Sequence, residues 1–586
     1  MKQELFKRTL LATMVLLSMH AAAQFTVNGH GVVLDQRSNT FLCCIPQSCF
    51  GSDYAATVTP VGSTWTSVSI DGNATGNITF AGVEPGKKWT VQGIKWDGST
   101  VDAQITFTFL PVISFTGTVD KIAYHVCKTT VLMPSHDITS DCKIKFRGST
   151  TNSSAYNKRN FHLKFIDSDG KKRDMKFFDD LRNDNNWILD AGTLDRIRIR
   201  NRVLTDLWLD FANKPYYADK EPKALNASRG EMVEVVRNGI YQGVYNMCEA
   251  MDRKQMKLAK FEEDGPDGQP VIHGQMWKAA NRSQTTKMNT VSDYDNSVDT
   301  WEMFEVKYPD LEDVSPTDFS LLHDLVDFVA NSSNQDFDAH AAERMDLPVL
   351  QDYCIMLQLL MAYDNFGKNI YWSVYDREQG TMMTPSVWDF DTSLGQSWKR
   401  EEYHPSYLTP DKDLFTLNAP NNSDHVDNFI KRLIALDVEG FNAKTSERYR
   451  QLRASGILTV DSIMARFDHY LNQLAASGAK EREYQRWYQT SDLGGRSVEF
   501  DEERAFIADW LTKRLDYLDK NIFNEHVTGD VNNDGKVDIK DVNLTINYLL
   551  GYPDDGGGIY AYRYDVARNL RVDVADLNEI INIILK

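Results

Sequence analysis

Between Asp530 and Asp541, side-chain oxygens stand at positions 1, 3, 5, 9 and 12 of a twelve-residue loop: Asp530, Asn532, Asp534, Asp538 and Asp541. Gly535 takes position 6, where such a loop must turn sharply, and Lys536 at position 7 offers its backbone carbonyl. Hard oxygen donors in this order make the EF-hand arrangement for Ca2+, here with Asp541 in place of the usual Glu. A degenerate copy follows. Asp565, Asn569, Asp573 and Asp576 keep positions 1, 5, 9 and 12, but Ala567 and Leu570 replace the ligand at position 3 and the glycine at position 6. One good calcium site and one weak or empty site are expected. A solvated acidic loop is the alternative reading, and the number of correctly placed oxygens argues against it.

A second constellation lies upstream. Asp364 and Asn369 are spaced D-x4-N, the separation at which protein kinases hold a catalytic Asp and a metal-binding Asn on one loop. Asp389 and Asp391 follow within Trp388-Asp389-Phe390-Asp391, where a carboxylate beside a buried aromatic can hold Mg2+ on nucleotide phosphates. Carboxylates two residues apart on one short segment cannot flank a sugar at the ~5–10 Å that glycosidases need, so metal suits them better. Nearer the N-terminus, Arg147-Gly148-Ser149 with Lys158, Arg159 and Lys164 can hold phosphate through backbone N–H groups and cationic side chains. Glu249 follows a hairpin turned at Asn238-Gly239 and can pair with such a lysine. Taken singly, a solvated basic hairpin and a surface glutamate explain these residues equally well. The order of basic strand, Glu, catalytic loop and metal Asp is that of a kinase, although the glycine-rich loop, H-R-D and A-P-E signatures are missing.

The elements needed to carry these residues divide the 586-residue chain. At ~100–200 residues per domain, three or four domains are expected. Residues 24–115 alternate apolar and polar positions between turn signals such as Asp71-Gly72, which predicts a β-sandwich. Residues 116–525 mix strands and helices without βαβ alternation, which predicts an α+β domain, nearly all helical from about Asp427 to Phe523. Residues 527–586 repeat a loop-and-helix unit. At the start, Lys2, Lys7 and Arg8 precede the apolar run Leu10–Leu17 and the small residues Ala21–Ala23. That layout predicts a signal peptide over 1–23 and a secreted, extracellular protein, held at most in a cell-surface complex. The run is shorter than the ~20 apolar residues of a span, so no stable membrane span is expected.

Net charge is −19; Lys2, Glu4, Lys7 and Arg8 together carry +2, so a chain starting at Gln24 carries −21. That excess argues against nucleic acid and anionic membrane as partners. The seven cysteines make no zinc spacing. Cys127 and Cys142 can close a disulfide loop or remain buried thiols.

Two resemblances add to this reading. The duplicated tail resembles the dockerin type I family, which implies calcium-dependent folding and binding to a cohesin module of a scaffold protein. The segments "RGSTTNSSAYNKRNFHLKF", "RNGIYQGVYNMCE", "FEVKYPDLEDVSP", "YDNFGKNIYW" and "WDFDTSLG" resemble the CotH (spore coat protein H) kinase-like family from about 120 to 525. That resemblance implies an atypical protein kinase fold that uses ATP with Mg2+ or Mn2+ to phosphorylate Ser/Thr of a protein substrate. By the matching motifs, Asp364 would be the catalytic Asp, and Asn369 and Asp389 would hold metal with Asp391 as a further ligand. Arg147 and Lys158 would contact phosphate, and Glu249 would orient the basic residue. Family members read R-G-N-S followed by a Lys pair, whereas this chain has Arg147-Gly148-Ser149-Thr150 and Lys158-Arg159. A second expectation stays open beside the kinase: a non-catalytic binding or structural subunit of a cellulosome-like extracellular complex for polysaccharide catabolism.

Overall fold

The computed structural model describes residues 24–62, 65–148, 150–266, 268–311, 314–399, 402–417, 426–552 and 558–586. The expected signal peptide and Ser149 lie outside the described residues. The chain forms two compact units, each assembled from separated segments: residues up to 199, 229–250 and 467–500 in the first, and residues 200–228, 251–466 and 501–586 in the second.

The first unit begins with two sheets around one core. Its strands are β1 (Phe25–Val27), β2 (His30–Gly31), β3 (Val33–Asp35), β4 (Thr40–Cys44), β5 (Tyr54–Pro60), β6 (Trp65–Ile70), β7 (Asn73–Ala74), β8 (Gly76–Phe80), β9 (Trp89–Lys95) and β10 (Thr100–Thr108). One sheet has the order β2-β1-β5-β8 and the other β3-β4-β10-β9-β6-β7. Alternation along β9 buries Trp89, Val91 and Gly93 and exposes the residues between, the signature of a strand with one wet face. Phe25, Phe41, Trp65, Phe80, Trp89 and Phe107 fill the shared core.

The same unit continues as a closed barrel. Strands β11 (Val112–Thr116), β12 (His125–Leu132), β13 (Asp137–Arg147), β14 (Asn160–Ile166), β15 (Asn186–Asp190), β16 (Gly230–Arg237) and β17 (Ile240–Glu249) run in the order β11-β12-β13-β14-β15-β17-β16. Parallel pairing of β11 with β16 closes it, Val112 standing opposite Glu234. The expected boundary at residue 115 therefore falls inside a barrel strand. The β11–β12 hairpin carries the barrel core, and the apolar run that reads as the end of the first domain is its first strand. Cys127 and Cys142 pair across β12 and β13 as free, buried thiols. The helix Ala479–Trp487 returns from far along the chain to pack on β17.

The second unit is built on strands β18 (Gln275–Ala279), β19 (Thr300–Trp301), β20 (Phe304–Tyr308), β21 (Ile370–Val374) and β22 (Thr384–Val387), in the order β19-β20-β18-β21-β22. The apolar helix Leu347–Leu360, buried along most of its length, leads through a tight turn into β21. Across the two units, helices Asn428–Ala435, Phe441–Ala454, Val460–Ala476, Ala479–Trp487 and Phe500–Tyr517 bear out the helical reading of residues 427–523. Two final helices, Ile539–Leu549 and Val574–Leu585, pack on each other through Val542, Tyr564 and Ile580. Among the described residues no helix is long and apolar enough to cross a membrane.

Candidate functional site

In the second unit, Asp364 lies on the 3-10 turn Tyr363–Asn365 and is 7% exposed. Its Oδ1 accepts from Arg282 Nη2 at 3.0 Å, and its Oδ2 from Lys368 Nζ at 2.8 Å and Asn369 Nδ2 at 3.3 Å. D-x4-N thus becomes a direct contact: the loop folds back so that both ends of the motif meet. Asn369 has φ 61 and Asp389 has φ 63, the left-handed conformation that Asn and Asp adopt more readily than other side-chain-bearing residues. Asn369 N donates to Ala279 O of β18, Asn365 Nδ2 donates to Trp388 O, and Phe390 N donates to Asn201 Oδ1. Because Ile370 pairs with Val387, Asn369 and the Trp388-Asp389 step leave the same end of the β21–β22 hairpin. The structure so brings Asp364, Asn369 and Asp389 to one end of this sheet, with Asp391 two residues on and its Oδ1 accepting from Thr392. A set of carboxylate and amide oxygens suits Mg2+ or Mn2+. Arg282 and Lys368 were invisible as site residues in the sequence; Lys368 sits one position before Asn369, and Arg282 is 82 residues from Asp364.

Beneath this loop lies Asp427, fully buried ahead of the helix Asn428–Ala435. Among the described residues neither of its oxygens has a well-formed hydrogen bond, although the Gly367 backbone N–H lies near enough to favour its charged form. Burial pushes its carboxyl up to about 8, in spite of the nearby Lys287 and Arg282 charges. Gly367, between Asp364 and Asn369, has no room for a side chain: a Cβ there would lie 2.7 Å from Lys287 Cγ.

In the first unit the basic residues follow a different plan from the expected one. Lys158 is fully buried; its ammonium donates to Val244 O at 2.7 Å and to Glu483 Oε1 at 2.9 Å, and lies 4.9 Å from the Tyr245 ring centroid. Burial draws its pKa down to about 7, against the attraction of Glu483. Glu483 also accepts from Arg198 Nε at 2.7 Å and from Val244 N at 2.8 Å. Gly243 admits it, since a Cβ there would collide with Glu483 Oε2. The role expected of Glu249 is therefore corrected. Glu249 accepts from Arg229 Nη2 at 2.8 Å and Arg182 N at 2.7 Å, and the acid that holds Lys158 is Glu483. The reason is topological: Glu249 ends β17 opposite Trp187, where the nearest cations are Arg229 and Arg182, whereas Glu483 enters beside Val244 from the helix Ala479–Trp487. No local signal marks Glu483. Arg147, the other expected phosphate contact, ends β13 half-buried opposite Asn160.

The tail loops have the expected shape. Asp530 Oδ1 and Oδ2 accept from Asp534 N and Gly535 N at 3.0 and 2.7 Å, and Gly535 has φ 85. Asp541 Oδ1 accepts from Val531 N at 2.8 Å, and its Oδ2 closes a capping box with Asp538. Asn532, Asp534 and Asp538 line the same loop, the latter two with Lys540 as a cationic neighbour; Lys536 N donates to Asp534 Oδ1. The donor set is all oxygen, which fits Ca2+. The second loop copies the fold with poorer residues. Asp565 accepts from Asn569 N and Leu570 N at 2.9 and 2.7 Å, Asp573 and Asp576 form the matching capping box, and Leu570 takes φ 63 where the first loop has glycine.

Comparison with known proteins adds the following. The model of a family described as CotH kinase protein matches residues 144–518, and that of the dockerin type I domain matches 528–585. No curated protein matches. A solved structure of Clostridium thermocellum CbhA fibronectin(III)-like modules aligns at 12% identity over 25% of this chain and 87% of its own, with a TM-score of 0.08.

Proposed function

Since this chain belongs to the CotH kinase protein family and carries a dockerin type I domain, we propose that it is a secreted, scaffold-docked protein kinase. Dockerin type I domains bind calcium and dock onto cohesin modules. In this reading Asp530, Asn532, Asp534, Asp538 and Asp541, with the Lys536 carbonyl, hold the ion that makes the dockerin competent to bind. Bound ATP with Mg2+ or Mn2+ would supply the phosphoryl group for a Ser/Thr hydroxyl of an extracellular protein. Asp364 receives the proton of that hydroxyl as its oxygen attacks the γ-phosphorus and the bond to the departing ADP breaks. Arg282 and Lys368 hold the Asp364 carboxylate in place, and Asn369, Asp389 and Asp391 offer oxygens to the cation. Lys158, through Glu483, is fixed inside the barrel unit.

The observation that supports the catalytic reading is the convergence of Asp364, Asn369 and Asp389 on one sheet end. A second reading, a non-catalytic binding subunit of a cellulosome-like complex, draws support from Lys158, whose ammonium is fully buried and engaged. The two separate in a calorimetric titration of ATP with Mg2+ into the full chain beside Asp389→Ala. Metal-dependent binding that weakens at least tenfold in the variant is expected. A folded wild-type chain that ignores millimolar nucleotide would sink the kinase and leave the docked binding subunit.

A further inference from the structure

The five-stranded sheet of the second unit has a second polar cluster at its other end. β18 and β21 run antiparallel, with Ala279 opposite Ile370 and Gln275 opposite Val374. Asn369 leaves at the first of these pairs. His273, just before β18, and Asp376 and Glu378, just after β21, gather beyond the second. At ~3.4 Å per residue the two ends are about 15–20 Å apart.

His273 Nδ1 lies 3.3 Å from Asp376 Oδ1 and 3.7 Å from Glu378 Oε2, and the three atoms sit within 4.8 Å of one another. The first is a long hydrogen bond and the second is beyond one. They match a different geometry. A tetrahedral ion with ligands at ~2.0–2.2 Å spaces those ligands ~3.3–3.6 Å apart. The other face of the imidazole carries an independent sign. Nε2 of His273 is buried without a hydrogen-bond partner, 3.6 Å from Glu262 Oε1. A histidine that binds metal through Nδ1 keeps its proton on Nε2, turned toward an outer acceptor, and Glu262 is the carboxylate on that side of the ring. The remaining contacts set the carboxylates: Gln379 Nε2 donates to Asp376 Oδ2 at 2.6 Å, Glu378 N donates to Asp376 Oδ1 at 3.1 Å, and Arg377 N donates to His273 O at 3.0 Å. Arg377 points its guanidinium to Asp318.

We propose that His273, Asp376 and Glu378 form a divalent-cation site for zinc, with Glu262 behind the histidine. A mixed imidazole and carboxylate set takes Zn2+ over the oxygen-seeking Ca2+ and Mg2+. The ion ties the Glu262–Val271 bridge and the turn between β21 and β22 to the start of β18, so it is a clamp on the strands whose opposite ends carry the candidate kinase residues.

The test is a calorimetric titration of Zn2+ into the full chain in excess Ca2+, which fills the oxygen-only dockerin loop first, together with the unfolding temperature with and without Zn2+. Expected is a zinc equivalent and a raised unfolding temperature in the wild type. Both are lost, or binding weakens at least tenfold, in His273→Ala and in Glu378→Gln. Glu378 is 63% exposed, so its substitution leaves the fold intact even if His273→Ala does not. A wild type that zinc neither binds nor stabilises, or zinc binding unchanged in both variants, overturns the proposal.

Discussion

Asp427 is a carboxyl group placed where a charge is costly, under the loop that bears Asp364 and Asn369. Its folded-state pKa, about 8, lies above its ordinary value of 3.8. Between those values the native chain keeps a proton that the unfolded chain has released. The group therefore favours folding at low pH, and that contribution is lost as pH rises toward 8, at about 1.4 kcal/mol per pH unit for one proton. Asp427→Asn removes the titration while keeping the shape. The wild type should lose unfolding temperature from pH 5 to 8 relative to the variant; parallel profiles would show that Asp427 does not titrate in that window. Little of this was legible beforehand, because an aspartate ahead of a helix reads as an ordinary cap, and only the packing around it shows that it is fully buried and caps no N–H of that helix.

The two tail loops were legible because all their ligands lie within twelve consecutive residues each, so spacing alone carries the geometry. The structure adds that the second loop adopts the calcium-loop backbone without the residues that make it easy. Leu570 at φ 63 costs roughly 1–2 kcal/mol relative to glycine, and Ala567 offers no ligand. Replacing both, Leu570→Gly with Ala567→Asp, should raise the calcium stoichiometry of the chain by one. Calorimetry against the parent settles it, and an unchanged stoichiometry would mean that Asp565, Asn569, Asp573 and Asp576 are set too far apart to share an ion. The upstream strands and helices were similarly readable from periodicity. The join between sandwich and barrel was not, since β10 and β11 are both apolar runs and only the pairing of β11 with β12 and β16 assigns the second to the barrel.

The first unit as a whole is held by contacts between segments far apart in the chain. Glu483 pairs with Lys158, 325 residues before it, and Arg198, 285 residues before it, and all three are fully or nearly fully buried. That distance is why sequence reasoning gave Lys158 the nearer Glu249. Removing the one carboxylate leaves two buried cations, a loss that costs about 3–5 kcal/mol where a buried pair is broken. Glu483→Gln should lower the urea midpoint of this unit accordingly, whereas Lys158→Met, which leaves Arg198 with its acid, should cost less. Equal effects would show that Glu483 acts by filling space.

Burying Lys158 and Arg198 in one segment and their counter-charge in another imposes an order on biogenesis. Synthesis delivers every strand of the barrel long before it delivers the helix Ala479–Trp487. Until that helix emerges, one lysine and one arginine charge lack the carboxylate that hydrogen-bonds both, and closing the barrel over them is penalised. With this wiring, closure of the barrel is coupled to the arrival of the helix Ala479–Trp487, made more than two hundred residues after the last barrel strand.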